Sequence, residues 1–203
     1  LKIAFDEHVP VGLVRVFESL AGERRMRETV GATDRGMVGG LEIVSARTYA
    51  PDKSDGDFVP NNDVPWLERF ARNGGKAIIS GDSRMLDVPH EILAIQRLGL
   101  IAIYFERRWN NWNFFRKSAL LLWHWKIIIE AIKNAKPGDV YRVPATYTEP
   151  GRVHRIYSAG QQELLQDDVH AASVRTKAGR RRRIETTEQT ARPEIKKQGR
   201  LPI

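Results

Sequence analysis

Residues 62–85 read NDVPWLERFARNGGKAIISGDSRM, and this stretch decides the fold. After Asp63, a helical pattern begins in which Val64, Leu67 and Ala71 share one face and Pro65 lies in the first turn. Asn73-Gly74-Gly75 ends it, because glycine enters the left-handed backbone of a helix terminus without steric cost. Residues 76–80 (KAIIS) are then an apolar run of strand length that leads straight into Gly81-Asp82. A short helix feeding at once into a buried strand is half of a β-α-β unit, so the rest of the chain is expected to alternate in the same way.

It does so in both directions. Residues 2–5 (KIAF) form a candidate first strand that ends at Asp6, and Val9, Leu13, Val16 and Leu20 recur at helical spacing after it, with Gly22 closing the pattern. Residues 41–46 are a second strand. Residues 48–62 contain two prolines, a glycine and several acids or amides, a stretch too long for a plain connector, so a functional loop is expected there. Beyond Asp82 follow a helix over 89–98, a strand over 100–105, a long helix over 112–134, and a hairpin or two edge segments over 140–143 and 153–157. The fold class is therefore α/β, a sandwich with a mainly parallel sheet.

Composition narrows the chemistry. The 203 residues include no cysteine, which excludes disulfides, thiolate metal sites and a thiol nucleophile. The first residues carry Lys2, Asp6 and Glu7, so no secretory leader is expected there. No uncharged apolar run approaches a membrane span, and a cytoplasmic location is expected. The formal net charge of +8 is unevenly placed. Residues 175–203 hold ten Lys/Arg and three acids, including four consecutive arginines (Arg180–Arg183), while residues 1–174 are nearly neutral. That basic end has few apolar residues and no aromatic, so 159–203 is expected to be a disordered tail appended to a domain over 1–158.

Topology then places the acids. Helices of β-α-β units run back against the strands, so each starts at the sheet's carboxyl edge, where sites in such sheets lie. Asp6 ends strand one, Asp63 opens the helix before strand three, and Asp82 follows strand three, so all three fall on that edge. Arg107-Arg108-Trp109-Asn110-Asn111-Trp112 joins them there after strand four. Converging carboxylates repel, and a hard divalent cation such as Mg²⁺ or Mn²⁺ relieves this through oxygen ligands while activating water toward a phosphodiester. His8 and Ser80 are candidates to touch substrate or a metal-bound water, against a plain packing or hydrogen-bonding role for a lone histidine near a site. Simpler roles compete: Asp63 and Asp87 as helix N-caps, Asp82 as a turn residue, and Trp109 and Trp112 as core anchors rather than stacking faces for single-stranded RNA.

The motifs FDEHVP (residues 5–10), NDVPWL (62–67) and KAIISGDSRM (76–85), in that order, resemble PIN-like domains, most closely the ribonuclease toxins of the VapC group from bacterial toxin–antitoxin pairs. The resemblance covers residues 1–105 and extends more weakly to about 157. It implies a three-layer α/β/α sandwich and a metal-dependent endoribonuclease in which Asp6, Asp63 and Asp82 hold Mg²⁺ or Mn²⁺ and carry the catalysis. RNA contacts are expected from Arg84, Arg107, Arg108 and Trp109, and partners would be RNA, an antitoxin and a second copy in a homodimer. The sequence departs from the family's fourth acid: Arg84 stands where relatives carry Asp, and Asp87 is the nearest substitute. That substitution keeps a second reading open, a catalytically weak PIN-like module that binds RNA or protein. A phosphoaspartate receiver would want a lysine after a late strand, and none follows Phe105.

Overall fold

The apolar runs assemble into a single six-stranded sheet in the computed structural model, which describes residues 1–158 except 30, 32–33, 61 and 148–152. In chain order the elements are β1 (Lys2–Phe5), α1 (Val11–Gly22), α2 (Arg24–Thr29), β2 (Glu42–Ser45), α3 (Val64–Arg72), β3 (Ala77–Ser80), α4 (Pro89–Arg97), β4 (Ile101–Phe105), α5 (Phe114–Asn134), β5 (Val140–Val143) and β6 (His154–Tyr157). The strand order is β2-β1-β3-β4-β5-β6. Every pair is parallel except β5–β6, which is antiparallel with an irregularity at Val140/Tyr141. The expected mainly parallel α/β sheet is the observed one. The hairpin reading of 140–157 is half of the truth: β5 also extends the parallel sheet beside β4, reached through the crossover helix α5. The expected tail over 159–203, and the helix expected within it near 161–169, fall on residues outside those described.

Alternation along the strands divides the core into two layers. Ile3, Phe5, Ile79, Ile103 and Phe105 face one side, where they pack with Leu13 and Phe17 of α1 and with Leu121, Trp125 and Ile128 of α5. Ala4, Ile78, Ala102 and Tyr104 face the other, against Trp66, Leu67 and Phe70 of α3 and Ile92 and Ile95 of α4. Both faces of every central strand are covered, which is why these strands read as continuous apolar runs. The result is a three-layer α/β/α sandwich. Gly74, at φ +79°, and Gly99, at φ +66°, close α3 and α4 as the sequence pattern requires.

The strand order creates a switch point. From β1 the chain steps to β2 on one side, then crosses back to β3 on the other, so connections leave the carboxyl ends of β1 and β3 in opposite directions. A crevice opens at such a place, and ligands of open α/β sheets bind there. Asp6 follows β1 and Gly81-Asp82 follows β3. The helix α5 keeps Leu120, His124 and Ile129 buried but exposes Phe115 (79%), Leu122 (50%) and Trp123 (49%) along one side. No helix among the described residues is long and apolar enough to cross a membrane.

Candidate active site

The β1 and β3 ends are stitched together by side chains whose spacing the strands set. The Asp6 backbone N–H donates to Ile79 O (3.0 Å), which extends the β1–β3 pairing to the site. The Asp6 carboxylate then accepts from the Ser80 hydroxyl (Oδ2, 2.6 Å) and from the Glu7 backbone N–H (Oδ1, 2.6 Å). Ser80 Oγ in turn takes the Asp82 N–H at 3.0 Å. His8 stands between the two acids, Nδ1 3.0 Å from Asp6 Oδ2 and Nε2 3.6 Å from Asp82 Oδ2. The hydrogen bond to Asp6 chiefly, with the Asp82 charge adding to it, raises the imidazole pKa above its ordinary value.

Asp82 is engaged still more fully. Its Oδ1 accepts the Arg84 backbone N–H at 2.9 Å, so it does act as the turn residue of the short 3₁₀ helix Ser83–Asp87. The Arg84 guanidinium also forks onto both oxygens, Nε at 2.9 and 2.8 Å and a terminal nitrogen at 2.6 Å. Burial alone would raise the Asp82 pKa, but Arg84, through side chain and backbone, outweighs it and holds the carboxyl below its usual range. Arg84 therefore sits first on an acid.

Asp63 occupies the position before α3, yet its side chain caps nothing. Asn62 Oδ1 takes the Val64 N–H at 2.9 Å, and Asp63 Oδ1 accepts the Trp66 indole N–H at 3.0 Å. The capping reading is thereby corrected: an αR backbone (φ −85°, ψ −13°) carries the carboxylate away from the helix N–H groups. Burial raises the Asp63 pKa, with the Trp66 bond only partly opposing it. Asp63 shares a pocket with Asp6 and Glu7. Asp87 is no helix cap either, since Val88 holds that place before α4.

Arg107 and Arg108 are exposed on the 3₁₀ helix Arg107–Asn111 after β4. Arg107 joins Arg84, His8 and Lys117 around a polar hollow of about 510 Å³. It also lines a second hollow, about 520 Å³, with Arg108, Arg142 and Asp87. Trp109 does not join this rim. It is fully buried, with its ring stacked on Phe105 at 4.7 Å between centroids, so it offers no face to a base. Burial of some 200 Å² of aromatic surface overrode the stacking role expected of it. Trp112 stacks under the Arg116 guanidinium at 3.8 Å.

A family model described as PIN like domain matches residues 1–107, more than half of the chain. The chain belongs to the PIN-like domain family. No curated protein and no solved structure gives a match. The matched span ends within the 3₁₀ helix after β4, so it contains every acid of the site and Arg107, but not Arg108, α5 or the β5–β6 pair.

One carboxylate of the PIN-like site escaped the sequence reading. Glu91, in the first turn of α4, is only 5% exposed, and burial first, then the charge of Asp63, pushes its pKa up to about 7. The available signal was an acid one turn into a helix that starts at the carboxyl edge. Whether it faced the sheet depended on packing that periodicity does not fix.

The oxygen donors suit a hard divalent ion, for which one or two carboxylates and water suffice. However, no three His, Cys, Asp or Glu side chains among the described residues stand close enough to form a ready-made metal site. The structure joins Asp6 and Asp82 through Ser80 and His8, and Asp63 shares a pocket with Asp6. A metal ion would take over the positive charge that Arg84 supplies.

Proposed function

We propose that this PIN-like protein is a metal-dependent endoribonuclease that acts in the cytoplasm as the toxin of a type II toxin–antitoxin pair. The observation that carries the reading is the meeting of Asp6 and Asp82, both over nine-tenths buried, at the β1/β3 switch point beside a cationic rim. Asp6 and Asp82, with Asp63 beside them, would hold Mg²⁺ or Mn²⁺. Bound there, such an ion lowers the pKa of water and stabilises the leaving oxygen of a phosphodiester. Ser80 fixes the Asp6 rotamer by its 2.6 Å hydrogen bond, and His8 is placed to accept or return a proton beside both acids. Arg84, Arg107 and Arg108 supply guanidinium donors for backbone phosphates.

The nuclease domain spans residues 1–158, and the basic residues of 159–203 add sequence-independent attraction to RNA. An antitoxin, or a second copy in a homodimer, would cover the apolar side of α5 at Phe115, Leu122 and Trp123. A second reading, a catalytically weak binding module, is favoured by the Arg84 fork on Asp82.

Incubation of the full chain with single-stranded RNA and Mn²⁺ separates the two. Cleavage that disappears in both Asp6→Asn and Asp82→Asn, each with an unchanged circular dichroism spectrum, supports the nuclease. Undiminished cleavage in both variants refutes the site, and RNA binding without cleavage or Mn²⁺ binding supports the binding module.

A further inference from the structure

The loop between β2 and α3 is long, and the proposed chemistry leaves it without a task. It is nevertheless held in a defined place. Arg69 of α3 reaches back to it, with Nε 2.9 Å from Asp57 Oδ2 and a terminal nitrogen 2.7 Å from Asp55 Oδ2 and 2.5 Å from Asp57 Oδ1. The two aspartates raise the Arg69 pKa further, so the clamp is charged throughout the ordinary pH range. What the clamp presents is the wall of a pocket of about 260 Å³ whose floor includes Asp6 and Asp63.

That pocket is two-sided. Pro51, Phe58 and Val59 give it flat and apolar surface, while Arg47 and Asn62 give it donors. Asn62 spends its Oδ1 on the Val64 N–H, which leaves its amide N–H₂ to donate. The volume lies below the roughly 300–1,000 Å³ of sites for drug-sized ligands, and suits one planar ring system. Its neighbour differs in kind. The hollow with Arg84, Arg107 and Lys117 is polar and cationic, and Glu7 lines both spaces. A half-apolar slot with edge donors on one side of Glu7, and a cluster of cations on the other, match the two halves of a nucleotide.

We infer that the loop pocket is a nucleobase subsite, which takes one unstacked base of a single-stranded RNA while the adjoining phosphate lies in the cationic hollow. Single-stranded RNA is recognised in this manner, by splaying a base onto aromatic or apolar walls and reading its edge with polar groups. The inference rests on the nuclease reading for its substrate class, but its test does not require cleavage. Val59 is 48% exposed although apolar, which fits a wall that a ligand covers rather than a core position.

The experiment is a titration of the full chain, in EDTA, with AMP and separately with ribose 5-phosphate, followed by amide and indole NMR. AMP is expected to shift the Val59 and Asn62 amides and the Trp66 indole, while ribose 5-phosphate shifts only Arg84 and Arg107. Phe58→Ala should weaken AMP binding about tenfold, the loss of one stacking surface. Ala50→Trp, at an exposed position on the pocket mouth, should abolish the Val59 response and keep that of Arg84. Identical shifts from AMP and ribose 5-phosphate overturn the subsite, as does silence at Val59 and Trp66 up to about 10 mM AMP. Mn²⁺-dependent cleavage with no AMP response refutes the subsite alone. An AMP response without cleavage supports the subsite and refutes the nuclease.

Discussion

Gly81 joins Ser80 to Asp82, and the tightest contact in the site lies against it. A Cβ built there would stand 2.2 Å from Trp109 Cζ3, 2.8 Å from Cε3 and 3.2 Å from Asn110 Oδ1. Carbon atoms meet comfortably at about 3.5–4.0 Å, so Gly81→Ala requires more than an ångström of movement. The Gly81 backbone is not left-handed, and the cost is therefore steric and not conformational. Trp109 has nowhere easy to go: it is fully buried, Phe105 stacks on it, and the Lys117 ammonium lies 4.9 Å from its ring centroid. Overpacking a rigid core costs about 1–3 kcal/mol, and a clash this deep belongs at the upper end, about 3 kcal/mol. With a urea m-value of roughly 1–3 kcal/mol/M, the midpoint of Gly81→Ala should fall by about 1–3 M. Trp109→Leu opens a cavity and destabilises on its own, yet it gives the new methyl room. The double variant should then be more stable than the sum of the two losses by on the order of 2 kcal/mol. A Gly81→Ala midpoint indistinguishable from the parent, or strict additivity with Trp109→Leu, would refute the packing described for this turn.

Two further outcomes follow from the charges. Arg84→Gln removes the fork from Asp82, so Mn²⁺ binding without RNA, followed by calorimetry, should tighten roughly tenfold while RNA affinity falls; unchanged Mn²⁺ affinity would show that Arg84 does not compete for the site. Glu91 has a raised folded-state pKa, so its contribution to stability is complete below its ordinary value of 4.5 and is lost as pH rises through about 7. Glu91→Gln, measured in EDTA, should remove that slope between pH 4.5 and 7 and be the more stable form at pH 8 by on the order of 2 kcal/mol; parallel stability profiles would contradict the burial argument.

The order of elements could be read before the structure because each rests on local pattern. KAIIS between a glycine pair and Gly81-Asp82 is a strand in any arrangement, and an acid that follows a buried strand lies at the sheet's carboxyl edge whatever its neighbours are. Asp6 and Asp82 were legible for that reason. What the pattern could not carry was side-chain direction. Trp109 sits among arginines and asparagines in sequence, yet the missing Cβ of Gly81, 28 residues earlier in the chain, makes the space that draws it into the core. Asp63 has the sequence of a helix cap, but Asn62 and the Trp66 indole, one on each side of it, redirect both backbone and carboxylate. Glu91 is one turn into an amphipathic helix whose orientation is decided by its packing on α3, β4 and the 3₁₀ helix Ser83–Asp87. Long-range packing chooses among local options that are close in free energy, and these three residues are where it chose.

The same charge logic links the free protein to its proposed task. Two carboxylates at 8% and 7% exposure cannot stand side by side without positive charge. Here Arg84 provides it, with His8 adding to it when protonated, and the two differ in how firmly they are held. His8 is tied to Asp6 at 3.0 Å and its side chain is 35% exposed, whereas the Arg84 side chain is 64% exposed and lines the hollow beside Arg107 and Lys117. Arg84 therefore leaves Asp82 without disturbing the core, and the space it turns toward is the one that suits a phosphate. A substrate phosphate adds negative charge where Arg84 can meet it, and the departure of Arg84 exposes both Asp82 oxygens. Occupancy of the carboxylates by a divalent ion and occupancy of the rim by RNA should in consequence favour one another, with Arg84 as the group that exchanges between them.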